Sequence, residues 1–123
     1  MLFRSDSNDA TVTATDGDIV NANVWSVEVT MNAEDGSIIG SNAEGSNVTL
    51  TASNSIIDSG VTASNTATLT AENEIDTTNV TAGGAIDATA TTIAASSFIS
   101  ETGDVTATAT LVDATTIDRK SVV

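Results

Sequence analysis

Apolar and polar residues alternate along this chain in short bursts, and the bursts recur. Sliding the sequence against itself by 19 residues brings six segments into register, beginning at Ala10, Val29, Val48, Ala67, Ile86 and Val105. They read ATVTA, VTMNA, VTLTA, ATLTA, IDATA and VTATA. Positions one, three and five are apolar, and positions two and four are Thr, Asn or Asp. That is the period of a strand with one face buried and one face wet. The fifth position is alanine throughout, at Ala14, Ala33, Ala52, Ala71, Ala90 and Ala109. A column of one small residue type marks a corner too tight for a larger side chain.

Two more apolar ladders lie in the same unit. One is Ile19, Ile38, Ile56, Ile75, Ile93 and Val112; the other follows five residues later at Val24, Ala43, Val61, Val80, Phe98 and Ile117. Turn residues separate them, as in Asp16-Gly17-Asp18, Glu34-Asp35-Gly36, Ser59-Gly60 and Gly83-Gly84. Three short strands per 19 residues predict an all-β fold, a single-stranded parallel β-helix (β-solenoid) of six triangular coils. At about 4.8 Å per coil, six coils stack to roughly 29 Å. Coils five and six admit a second register, two residues earlier, that places Ala88 and Ala107 in the alanine column. Either register turns the same residues inward.

The domain reading follows from the ladders. Residues 1–9 are a lead-in, with Leu2 and Phe3 placed to cover the first coil, and 10–123 are the solenoid. The apolar pattern runs to Val122-Val123 without a polar cap. The chain therefore reads as a fragment of a longer array, with an end open to end-to-end self-association.

Composition narrows the function classes. Among 123 residues there is no proline, cysteine, histidine or tyrosine, and only 2% are aromatic. Disulfide frameworks, Cys/His zinc sites and mechanisms with a histidine base or cysteine nucleophile are excluded. Seventeen acids face three bases, Arg4, Arg119 and Lys120, for a net charge of −14. Such a surface repels phosphate backbones and anionic bilayers, so no nucleic acid and no membrane insertion are expected. No stretch is long and apolar enough to span a bilayer, and Met1-Leu2-Phe3 is too short for a signal peptide.

The lines Val48 to Ala52 and Ala67 to Ala71, with Glu74 to Gly84, resemble filamentous haemagglutinin-type repeats of large exported bacterial adhesins. The resemblance implies a right-handed parallel β-helix that forms the shaft of an extracellular or cell-surface protein. It also implies cell-surface or matrix ligands and no cofactor. The chain is poorer in glycine than most such repeats and shows neither the signal nor the secretion domain that the family uses.

Three candidate sites follow. The outward positions of the first strand form two columns: Thr11, Thr30, Thr49, Thr68 and Thr106 with Asp87, and Thr13, Thr51, Thr70, Thr89 and Thr108 with Asn32. This T-x-T grid resembles the ice-binding face of solenoid antifreeze proteins. The competing reading is that β-branched Thr simply stacks well in a soluble ladder. Asp16, Asp18, Glu34 and Asp35 fall on turns one coil apart and offer clustered oxygens for Ca²⁺, against the alternative of plain solvated turns. Catalysis by paired carboxylates is known on parallel β-helices, but those enzymes resemble solenoids with wide coils, long loops and several aromatics. Here the loops are tight turns and the single Trp25 is expected to pack near an end of the rod, so no enzyme is expected. The sequons Asn47-Val48-Thr49 and Asn79-Val80-Thr81 are common by chance in a chain this rich in Asn and Thr. A short coil and head-to-tail stacking also fit a bactofilin-like cytoskeletal polymer.

Overall fold

In the computed structural model, residues 2–4, 8–113 and 115–119 are described. The chain winds as a β-solenoid of about six turns, without helix and with parallel pairing throughout among the described residues. The first face stacks Asp9–Ala14, Glu28–Ala33, the C-terminal half of Asn42–Ala52, the C-terminal half of Gly60–Ala71, Ile86–Thr89 and Val105–Thr108. The second face stacks Ile19–Val20, Ile38–Ile39, Ser55–Ile57, Glu74–Asp76, Thr92–Ala94 and Leu111–Asp113. The third face begins with Leu2–Arg4 and Asn23–Trp25 and ends with Ser97–Ser100 and Thr116–Arg119. The backbone of Phe3 pairs in register with Val24, and its strand extends this face by one step.

Each apolar ladder lies where the repeat places it. Val29, Val48 and Ala67 align on the first face, Ile38, Ile56, Ile75 and Ile93 on the second, and Val61, Val80 and Phe98 on the third, all buried. No coil can bury its own apolar side, so the core exists only between coils. Met31, Leu50 and Leu69 fill its widest part, and the alanine column closes the corner.

The register of the last coils is resolved. Ile86 pairs with Ala67 and Val105, and Ala88 with Leu69 and Ala107, so the 19-residue frame holds and the earlier frame does not. The cause is compensation between corners. Four residues separate Ala14 from Ile19 but only two separate Ala90 from Ile93; four separate Val24 from Val29 but six separate Phe98 from Val105. What one corner loses the other gains, and a bulge between Gly45 and Asn47 starts the exchange.

The corner between the second and third faces never varies in length. Two residues after the second-ladder residue, Asn21, Gly40, Asp58, Thr77 and Ala95 have φ of 54°, 59°, 50°, 50° and 46°. One left-handed residue turns the chain in each of these five coils, which fixes the five-residue spacing between these ladders there. Asn, Asp and Gly adopt this conformation readily, whereas a β-branched residue there is an outlier. Thr77→Gly removes a penalty of about 1–2 kcal/mol, set against about 0.5–1 kcal/mol of extra chain entropy. The expected result is a net stabilisation of about 0.5–1 kcal/mol, read as a higher urea midpoint at unchanged m-value. A lower midpoint would show that this corner holds Thr without strain.

The next residue in the same corner is small and, after the first coil, hydroxylated: Ala22, Ser41, Ser59, Thr78, Ser96 and Thr115. The Ala22 N–H donates to Ser41 Oγ at 3.1 Å, the Ser41 N–H to Ser59 Oγ at 3.4 Å, and the Thr78 N–H to Ser96 Oγ at 3.2 Å. Each hydroxyl in turn donates to the carbonyl two residues back, as Ser59 does to Ile57 at 3.0 Å and Ser96 to Ala94 at 2.8 Å. Among the described residues, no buried side-chain N or O lacks a hydrogen-bond partner.

Candidate functional site

The first-face register settles the threonine grid. Thr11, Thr30, Thr49, Thr68, Asp87 and Thr106 form one continuous column, and Thr13, Asn32, Thr51, Thr70, Thr89 and Thr108 the other. Neighbours along a column are one strand spacing apart, about 4.8 Å, and the two columns are about 6.6 Å apart along the strand. The outer rows and Thr70 and Thr89 are exposed, while Thr30, Thr49, Thr51 and Thr68 are half-buried by flanking rows. The Asp87 carboxylate stands between Thr68 and Thr106, and the Asn32 amide between Thr13 and Thr51. All twelve predicted positions therefore share one face.

The acidic turns lie one coil apart, and one of their carboxylates bonds to the next coil's backbone. Asp18 Oδ1 accepts the Ser37 N–H at 2.7 Å, and Gly36 lies so close to the Gly17 carbonyl that any Cβ would overlap it. Asp16, Glu34 and Asp35 are exposed. Among the described residues no group of three or more His, Cys, Asp or Glu side chains is placed to hold a metal ion.

The sequons sit on strands. Asn47 Nδ2 donates to Glu28 at 2.6 Å, and its Oδ1 accepts from Asn65 at 3.0 Å and Thr66 at 2.8 Å. Its amide is thus a post between three coils. Asn79 is exposed on the third face, beside Val80 of the core. A similar stitch joins Asn73 to Asn54 at 2.5 Å.

Trp25 lies in the first coil, near one end as expected, yet its indole does not pack inward. It is 46% exposed on the outside of the third face, in register with Glu44. Two shallow hollows of about 390 and 490 Å³ open beside it, sharing Trp25, Glu44 and Thr62 as lining. Alternation along Asn23–Trp25 foretells this outcome, because Val24 points inward and its neighbours must point out.

Comparison with known proteins found no matching family model, no matching curated protein and no matching solved structure. The β-solenoid rests on its own ladders. Among the described residues no helix is long and apolar enough to cross a membrane.

Proposed function

We propose that this solenoid is a stiff structural segment of an exported bacterial surface protein, acting through shape and an acidic surface. The observation that supports the reading most is the unbroken register of three apolar ladders. It joins every coil to the next by backbone hydrogen bonds and leaves a largely polar exterior, interrupted by a few exposed apolar side chains such as Val20, Trp25 and Val27. Net charge of −14 keeps such surfaces apart in solution. The resemblance to filamentous haemagglutinin-type repeats supports the cell-surface setting. An antibody raised against the chain is expected to label intact cells of the source bacterium. Labelling only after permeabilisation would remove the reading.

The threonine grid favours a second reading, ice binding, because ten of its twelve positions are Thr and all are in register. Under that reading the chain shows thermal hysteresis and shapes ice crystals, and Thr49→Tyr/Thr68→Tyr abolishes both while the circular dichroism stays unchanged. Under the shaft reading neither protein differs from buffer. A filament that forms with rising concentration would instead point to the cytoskeletal polymer.

A further inference from the structure

The exposed indole of Trp25 is the feature that a purely structural shaft does not need. It is the only Trp of a chain with 2% aromatic residues, and it is displayed rather than buried. Pairing across the third face aligns Trp25 with Glu44, Glu44 with Thr62, and Thr62 with Thr81, so that one outward column runs indole, carboxylate, hydroxyl, hydroxyl. The span from Trp25 to Thr81 is three ladder steps, about 14 Å.

A second outward column runs beside it: Asn23, Asn42, Gly60, Asn79. Asn42 Nδ2 donates to Asn23 Oδ1 at 3.0 Å, which fixes the direction of the Asn42 amide. Its Oδ1 then leans into the space above Gly60, where a Cβ would lie 2.5 Å from it. The missing side chain at Gly60 breaks the column and opens the larger hollow between Asn42 and Asn79. The result is a shelf with an aromatic face at one end and amide, carboxylate and hydroxyl groups along its length.

We infer that this shelf binds a short stretch of a neutral oligosaccharide, with one pyranose ring stacked on Trp25. The apolar C–H face of a sugar ring covers the exposed indole. The ring hydroxyls donate to Glu44 and Asn42 oxygens and accept from the Thr62 and Asn79 donors. Charge selects against the alternatives. Arg4, in register with Trp25, is the one base beside this shelf; with Glu44 at its centre and a net charge of −14, an anionic glycan or phosphate meets repulsion along the rest of its length. A second copy of the chain would bring its own acids against Glu44. A quaternary ammonium ion prefers several aromatic faces, and here there is one.

The inference does not depend on the shaft reading, since surface labelling and sugar binding can fail separately. With one Trp and no Tyr, intrinsic emission reports the shelf alone. The full chain is titrated with neutral β-1,4-linked tetrasaccharides of glucose, xylose, mannose and N-acetylglucosamine, followed by emission and by calorimetry. At least one is expected to bind with Kd of about 1 mM or tighter, to shift Trp25 emission to the blue and to shield it from acrylamide. Trp25→Ala weakens the calorimetric binding about tenfold or more. Thr62→Tyr, which fills both hollows and leaves the indole in place, weakens it as well, and Thr106→Ala on the first face leaves it unchanged. No binding by about 10 mM, binding indifferent to both shelf variants, or shielding by tetramethylammonium but by no sugar would each overturn the inference.

Discussion

Ile75→Ala is expected to cost about 2–5 kcal/mol, while Val112→Ala costs less than about 1 kcal/mol. The two residues occupy the same ladder in different coils. Ile75 is fully buried between Ile56 below and Ile93 above, so truncation leaves a cavity walled by both neighbours. Val112 pairs only with Ile93 among the described strands and is 44% exposed, so its methyl groups already meet water. In a stack whose stability is a sum of coil and interface terms, the central truncation weakens two interfaces and the terminal one weakens one. Urea unfolding of both variants checks this, and the central variant is expected to give a broader transition as its halves uncouple. Equal losses at the two sites would mean that the second ladder is not a uniform stack.

The ladders were legible in the sequence because their physics is local and repeated. Alternation in V-T-L-T-A assigns Val48, Leu50 and Ala52 to one side, and the 19-residue recurrence then fixes which residues meet. The register of coils five and six was not legible from the alanine column alone. It is decided by Ile86 and Ala88 against Ala67 and Leu69, with the lengthening corner after Phe98 absorbing the shortfall after Ala90. The left-handed corner was hidden for a different reason. Asn21, Gly40 and Asp58 are ordinary turn residues, but Thr77 and Ala95 carry no such signal and are held in that conformation by the pairing on either side.

The candidate surfaces divide in the same way. Strand alternation turns all twelve positions of the threonine columns outward, but the partners of Asp87, Thr89, Thr106 and Thr108 are decided only by the register of coils five and six. The shelf around Trp25 depends on what stands beside the indole one and two coils away. That in turn depends on Glu44, Thr62 and the vacancy at Gly60 arriving at one place through corners of unequal length. The expectation that Trp25 packs near an end passes over the alternation beside inward Val24, which turns the indole outward, and the surrounding hollows emerge only when the coils are stacked.

Ser96→Ala is expected to destabilise the chain by about 1–3 kcal/mol, although it removes a single oxygen. Ser96 Oγ accepts the Thr78 N–H at 3.2 Å and donates to Ala94 O at 2.8 Å, within a corner closed to solvent. Without it, a buried N–H of the preceding coil loses its acceptor and pays the desolvation cost in full. Ser96→Thr is expected to stay within about 1 kcal/mol of wild type, because Thr78 fits the same corner and donates to the Ile56 and Asp76 carbonyls as Ser96 does to those of Ile75 and Ala94. Ser64→Ala, on an exposed Ser64–Ser46 contact of 3.2 Å, is expected to change stability by less than about 0.5 kcal/mol. The same service recurs along the column, where Ser41 accepts the Ala22 N–H and Ser59 the Ser41 N–H. Should Ser96→Ala unfold at the wild-type urea concentration, the column would be selected for small size alone. Ser96→Val would then be the variant that suffers, through its extra volume.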